Sequence, residues 1–166
     1  MNTNMIPVGL SNRHLHLSQE DIETLFGKGY ELKRFKDLSQ PGQYAAEEKV
    51  DLVGPRGTLK GVRVLGPARS NSQVEVSLTD GFALGVVPPV RDSGDIVGSP
   101  GVKIVGPQGE VEIKEGVIAA ARHIHMHTDD AEKFGVVDKQ RVKVKTTGER
   151  SVVFENVLVR ANLDFA

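Results

Sequence analysis

Apolar stretches in this chain are short, and Gly and Pro cut them off. Val50–Val53 stops at Gly54-Pro55-Arg56-Gly57, Val62–Leu65 at Gly66-Pro67, and Val102–Val105 at Gly106-Pro107-Gln108-Gly109. Val-rich runs of this length suit a pleated, half-buried surface, and Gly-Pro punctuation suits tight turns. The expectation is therefore a mainly β protein. A chain of 166 residues buries roughly 70% of the surface its unfolded form exposes, enough for one compact body or two small lobes.

Further strands are expected at Met5–Leu10, Gln73–Ser77, Val111–Ile113, Val142–Lys145, Val152–Phe154 and Val157–Arg160. One helix is legible after the first of these. Ser18-Gln19-Glu20-Asp21 has the form of a capping box with Asp in place of Glu or Gln, Ile22, Leu25 and Phe26 follow at helical spacing, and Gly27 stops the pattern. Thr79–Leu84 allows one more helical turn before Pro88-Pro89 forces an extended path. Between Glu31 and Glu48 the pattern is mixed around a Pro41-Gly42 turn. The segment Arg91–Gly101 reads as a loop whose backbone N–H groups could approach a phosphate, or as an ordinary connection.

Composition excludes several roles. The formal net charge of −1 contains no long block of one sign, so neither nucleic acid nor a membrane surface is an expected partner. No apolar run approaches the ~18 residues of a membrane-spanning helix. Met1-Asn2-Thr3-Asn4-Met5 lacks the basic and apolar regions of a signal peptide, which points to an intracellular protein. Cys is absent, so a metal would be held by His and carboxylates, and no enzyme thioester is available.

Two internal echoes organise the chain. Arg13-His14-Leu15-His16-Leu17-Ser18-Gln19-Glu20-Asp21 resembles Arg122-His123-Ile124-His125-Met126-His127-Thr128-Asp129-Asp130, and Leu52–Gly57 resembles Ile104–Gly109. They imply two related lobes. Sheets of this size tend to close or sandwich to protect their edges, so the expected architecture is two small related β-barrels with short capping α-helices. The expected division is residues 1–12 plus 121–166 for one barrel and 13–120 for the other, with a hairpin insertion near 28–47.

In an extended segment alternate side chains share a face, so His14 and His16 project together, as do His123 and His125. One such pair would equally suit two half-exposed strand histidines; duplication, with an Arg before each pair, favours metal ligands. Imidazole suits several divalent metals, and zinc is the first choice. His127 continues the alternation or starts a helix, the second reading being preferred. Arg13, Arg122 and Arg69 offer guanidinium forks for a phosphate or carboxylate, and Ser70-Asn71-Ser72 also suits an anion. Glu75 faces either solvent or a metal, and Glu47-Glu48 reads as a solvated pair.

The chain resembles the PduL-type phosphate acyltransferases over essentially its whole length. The resemblance rests on five ordered segments: Gly9–Ser18, Leu65–Arg69 with Gln73–Ser77, Pro88–Gly94, Gly98–Gly101 and Ala121–Met126. It implies reversible transfer of an acyl group, propanoyl or acetyl, between coenzyme A and inorganic phosphate, with acyl-CoA, phosphate and acyl phosphate as the small-molecule partners. It also implies two β-barrels and a dinuclear zinc site. One metal would take His14, His16 and Glu75 and the other His123 and His125, while Arg69 would bind phosphate; Arg91, Ser93 and Gly94 are weaker candidates for holding CoA. Family members usually continue into a stretch that supplies a further metal-binding His, whereas this chain ends at Ala166, leaving the second metal short of a ligand. The start almost directly at the first strand, without a microcompartment-targeting extension, suggests a cytoplasmic location, and a homo-oligomer is allowed. Two rivals remain. A cupin-like metalloenzyme would use His14, His16 and Glu20 on a continuing strand, and a metal- or nucleotide-binding β-module would have no turnover.

Overall fold

In a computed structural model, residues 5–165 are described; the Met1–Asn4 opening read above for a leader, and Ala166, lie outside the described residues. The protein is mainly β with three short helices. It divides into a larger unit, Ser11–Leu38 with Gly42–Ala120, and a smaller one, Met1–Leu10, Ser39–Pro41 and Ala121–Ala166.

The larger unit runs β1 (His14–Ser18), α1 (Gln19–Phe26), β2 (Arg34–Asp37), β3 (Tyr44–Val53), β4 (Thr58–Arg69), β5 (Gln73–Glu75), α2 (Leu78–Leu84), β6 (Val90–Arg91), β7 (Val102–Val105), β8 (Glu110–Ile113) and β9 (Val117–Ala120). These strands make one nine-stranded sheet in the order β6-β9-β5-β1-β4-β3-β7-β8, with β2 paired to β3. The sheet is strongly curled into a half-barrel. Its core contains Leu15, Leu17, Val64, Val74 and Ile104, together with Ile22 and Leu25 of α1. In the smaller unit β10 (His123–Met126), α3 (Thr128–Phe134), β11 (Arg141–Lys145) and β12 (Val153–Ala161) form a three-stranded sheet ordered β10-β12-β11. Among the described residues no helix is long and apolar enough to cross a membrane.

The expected cap at Ser18 forms, and a second one, not expected from sequence, forms at Ser77 by a different route. Ser18 Oγ accepts from Asp21 N at 3.1 Å, but the Asp21 carboxylate turns away to accept from Ser72 Oγ, which itself accepts from Ser18 N at 2.9 Å. A serine from β5's approach thus completes the cap that the short Asp side chain leaves open. At α2 the full reciprocal box is present between Ser77 and Asp80.

The Leu52–Gly57 and Ile104–Gly109 echo lies inside the larger unit, and its two copies face one another: β3 pairs antiparallel with β7, Leu52 opposite Ile104. Each Gly-Pro-x-Gly closes its hairpin, Gly54 N to Gly57 O at 2.9 Å and Gly106 N to Gly109 O at 2.9 Å. Each turn also receives the end of a helix. Arg56 N donates to Leu84 O, and Gln108 N to Leu25 O, both at 3.0 Å. This accounts for the repeated glycine, since a Cβ on Gly54 would sit 2.2 Å from Leu84 O and one on Gly106 2.6 Å from Leu25 O.

Three expectations are corrected. Met5–Leu10 is not a strand but exposed chain with Met5, Val8 and Leu10 outward; Pro7 lacks a ladder donor and Gly9 lacks a side chain to pack. Val152–Phe154 and Val157–Arg160 are not separate strands. They belong to one strand, β12, which passes through Asn156 at φ +56°, a left-handed residue that Asn tolerates. The third concerns β9, which sequence reading left unassigned although Val117 and Ile118 are fully buried.

Gly54→Ala and Gly106→Ala should each destabilise the protein by about 1–3 kcal/mol, the typical cost of forcing atoms into a packed site. The fall would be read in the thermal unfolding midpoint. Gly9→Ala, with nothing within 4 Å of the added atom, should leave that midpoint unchanged.

Candidate metal centre

A strand with a neighbour on each side has its register set twice, and β1 is such a strand. It pairs parallel with β4 and antiparallel with β5, so that Leu15 lies beside Val64 and Val74. With Leu15 in the core, His14 and His16 must share the opposite face. The β5 register places Glu75 directly across from His14. The outcome is a group of three, His14, His16 and Glu75, whose potential ligand atoms all lie within 4.8 Å of one another.

The His14 ring is oriented by the backbone. His14 Nδ1 donates to the Asn12 carbonyl at 2.8 Å, which leaves Nε2 with the lone pair, 3.4 Å from Glu75 Oε2. His16 is 3% exposed and its Nδ1 is buried with no hydrogen-bond partner. Leaving such an atom unpaired costs about 1–3 kcal/mol. Burial first, then Arg69 and then His14, lowers the His16 pKa to about 3, so the ring is neutral near pH 7 with a lone pair to give. Two imidazoles and one carboxylate, with one buried imidazole nitrogen lacking a partner among the described residues, fit a divalent metal of the zinc type with three protein ligands and a fourth position left to a non-protein ligand.

The second pair repeats part of this design in the smaller unit. β10 lies parallel to β12, with His123 beside Leu158 and His125 beside Arg160. His123 Nδ1 donates to the Ala121 carbonyl at 2.7 Å, the same two-residue step back as at His14. The His123 and His125 ring centroids are 4.7 Å apart. Burial, then His123 and Arg160, lowers the His125 pKa to about 4; Gln40 Nε2 lies 2.6 Å from its Nδ1, and Phe165 stacks on its ring. Among the described residues, no third His, Cys, Asp or Glu joins this pair as Glu75 joins the first. His127 is the N-cap of α3, its ring accepting from Asp129 N, in agreement with its reading as a helix-start residue.

The anion candidates divide. Arg69 ends β4 opposite Ser18, and its Nη1 donates to Ser93 Oγ at 3.3 Å. Gly94 N donates to Gln73 Oε1 at 2.7 Å, so Ser93 and Gly94 are held beside the metal group, whereas Arg91 pairs with Asp95 at 2.9 Å. Arg13, expected to bind a phosphate or carboxylate, pairs with the Asp80 carboxylate at 2.9 Å. Ser72, from the proposed anion-binding triplet, is occupied by Ser18 N and Asp21. Arg122 lies over the Phe154 ring. Glu48 is not solvated but buried, accepting from Tyr30 Oη at 2.8 Å and from Lys33 N. Glu20 lies on α1 rather than on a continuing strand, which removes the cupin-like arrangement. One functional candidate carried no assigned role in the sequence: Gln73, 2% exposed, whose Nε2 is 2.7 Å from Glu75 Oε1.

Comparison with known proteins follows this geometry. The phosphate propanoyltransferase family profile matches residues 7–166. Phosphate propanoyltransferase of Thermotoga maritima is 60% identical over 162 residues, covering 97% of this chain and 77% of that protein. The Clostridioides difficile enzyme of the same name is 51% identical over 160 residues, covering 96% and 77%. That of Limosilactobacillus reuteri is 45% identical over 167 residues, covering 99% and 77%.

The low His pKa values set a pH dependence for the chelated, metal-free protein. Below the ordinary value of 6.5 the unfolded chain takes up protons on these rings, while folded His16 does so only near 3 and His125 near 4. Stability is therefore full above about 6.5 and falls as pH drops through this window. The urea midpoint should be lower at pH 5 than at pH 7.5, and His16→Gln should flatten the difference. An unchanged midpoint in the parent protein would contradict neutral burial of His16.

Proposed function

We propose that this chain, which belongs to the phosphate propanoyltransferase family, reversibly transfers a short acyl group, propanoyl or acetyl, between coenzyme A and inorganic phosphate at a metal site. The observation that carries this reading is the orphaned, buried His16 Nδ1 beside His14 and Glu75, next to Arg69 on the adjoining strand. His14, His16 and Glu75 would hold a divalent ion, with zinc the first choice, which would supply Lewis acidity toward the acyl carbonyl.

The remaining work falls to the chain's own groups. Arg69 presents a guanidinium fork that matches phosphate, and its bond to Ser93 fixes where that fork points. Phosphate held in this way has one oxygen directed at the carbonyl carbon; a C–O bond forms, the C–S bond breaks, and the CoA sulfur leaves and takes up a proton. Holding both reactants removes the entropic cost of their meeting. With no Cys in the chain there is no enzyme thiolate to carry the acyl group, so direct attack is the simplest course. Gly94 and the Arg91–Asp95 turn are the segment we assign to CoA.

Related reasoning extends to the smaller unit. We take His123 and His125 as ligands of a second zinc ion, supported by the matching Nδ1 lock on the carbonyl two residues back. We take residues 1–12 with 121–166, and residues 13–120, as two barrel domains. For the latter, support comes from the two ends of the sheet path: the end strand β8 leads through only Lys114–Gly116 into β9, the next-to-last strand at the other end, which favours closure.

The test is phosphate-dependent release of CoA thiol from propanoyl-CoA. Arg69→Ala should lower kcat/KM by about 10²–10³, as for loss of a preorganised electrostatic donor, with Arg69→Lys recovering little because an ammonium lacks the fork. Initial rates should intersect in a sequential pattern. A ping-pong pattern with a trapped acyl-enzyme would refute direct attack, and no thiol release under any condition would refute the function.

A further inference from the structure

The metal group sits on a pseudo-twofold relation that is internal to the larger unit. Ser11-Asn12-Arg13-His14-Leu15-His16-Leu17-Ser18-Gln19-Glu20-Asp21 aligns without a gap on Ser70-Asn71-Ser72-Gln73-Val74-Glu75-Val76-Ser77-Leu78-Thr79-Asp80. Ser, Asn, Ser and Asp coincide at the first, second, eighth and last places. The structure gives the two copies the same form. In each, a strand runs into a helix capped by the serine, Ser18 over Asp21 N and Ser77 over Asp80 N. The two strands pair antiparallel about Leu15 and Val74, the two residues that correspond to one another. Even the cross-links correspond, because Arg13 bonds Asp80 of the second copy while Ser72, the counterpart of Arg13, bonds Asp21 of the first.

Under this relation His16 corresponds to Glu75 and His14 to Gln73. Four side chains therefore occupy equivalent places on one face of the β1–β5 pair, three of them forming the metal group. Gln73 is the fourth. Its buried amide makes three contacts: Nε2 to Glu75 Oε1 at 2.7 Å, Nε2 to Ser93 Oγ at 3.0 Å, and Oε1 from Gly94 N at 2.7 Å. Holding Oε1 leaves Glu75 Oε2 directed at His14. Ser93 Oγ, held from the other side, is also the acceptor for Arg69.

We propose that Gln73 is a positioning residue that ties the metal ligand Glu75, through Ser93 and the backbone at Gly94, to the phosphate-binding Arg69, so that ion and phosphate are presented in one fixed geometry. An amide suits this place because it donates to the carboxylate and hydroxyl and accepts from the backbone in the same plane. A partner that orients a ligating carboxylate contributes to affinity without touching the metal.

This inference rests on the metal reading given above, and the experiment separates the two. Cobalt(II) is titrated into chelated protein and followed by its visible absorption, with His16→Ala as control, and phosphate KM and kcat are measured on the zinc-loaded enzyme. For Gln73→Met, which keeps the shape and removes the hydrogen bonds, cobalt affinity should fall about 10–100-fold and phosphate KM should rise. Gln73→Asn, which retains a buried amide on a shorter stem, should move both in the same direction and serves if Gln73→Met does not fold. Wild-type affinity together with unchanged phosphate KM in a folded variant would overturn the role of Gln73 while leaving the metal group standing. Absence of any His16-dependent cobalt signal in the parent protein would overturn both.

Discussion

Desolvation of one imidazole governs how the larger unit is arranged around its site. His16 lies on a strand with partners on both sides, so the face its ring occupies is fixed by two ladders. Burial keeps it uncharged, and among the described residues its buried Nδ1 has no hydrogen-bond partner. A buried polar atom with no partner is expensive, and proteins retain such atoms where another component completes them. The cross-strand carboxylate of Glu75 and the capped helix beyond Ser18 adjoin the strand that carries that ring.

Much of this was readable from residue types alone, and the failures have identifiable causes. The His-x-His pairs, the helix ending at Gly27 and the Gly-Pro hairpins were legible because each rests on local chemistry, namely alternation, capping and turn geometry. Met5–Leu10 misled because apolar content marks a strand only when a ladder partner exists. Glu48 was misjudged because its partners, Tyr30 and Lys33, come from another segment, and charge in a sequence carries no direction. Gln73 had no signal as an isolated residue. Its signal lay in the alignment of Ser11–Asp21 with Ser70–Asp80, which is hard to see since its most chemical positions differ, His against Gln and His against Glu.

That divergence shows how a duplicated strand-and-helix piece can become a single asymmetric site. The packing positions kept their character, Leu15 with Val74 and Leu17 with Val76, because both copies fill one core. The helix caps also persisted, with Asp80 closing its own box and Asp21 borrowing Ser72. Only the face turned away from the core was free to differentiate, and there one copy supplies nitrogens and the other an acid and an amide.

The backbone contacts of His14 and His123 have a consequence for how such a site drifts over time. Each ring's tautomer is selected by a main-chain oxygen, at Asn12 in one unit and at Ala121 in the other. A carbonyl belongs to every residue type, so side-chain replacement at those two places cannot delete the acceptor. The amide and the methyl group already found there illustrate that freedom. Proton placement on the ligands is thereby insulated from point mutation, and it stays exposed only to changes that bend the chain just ahead of each strand.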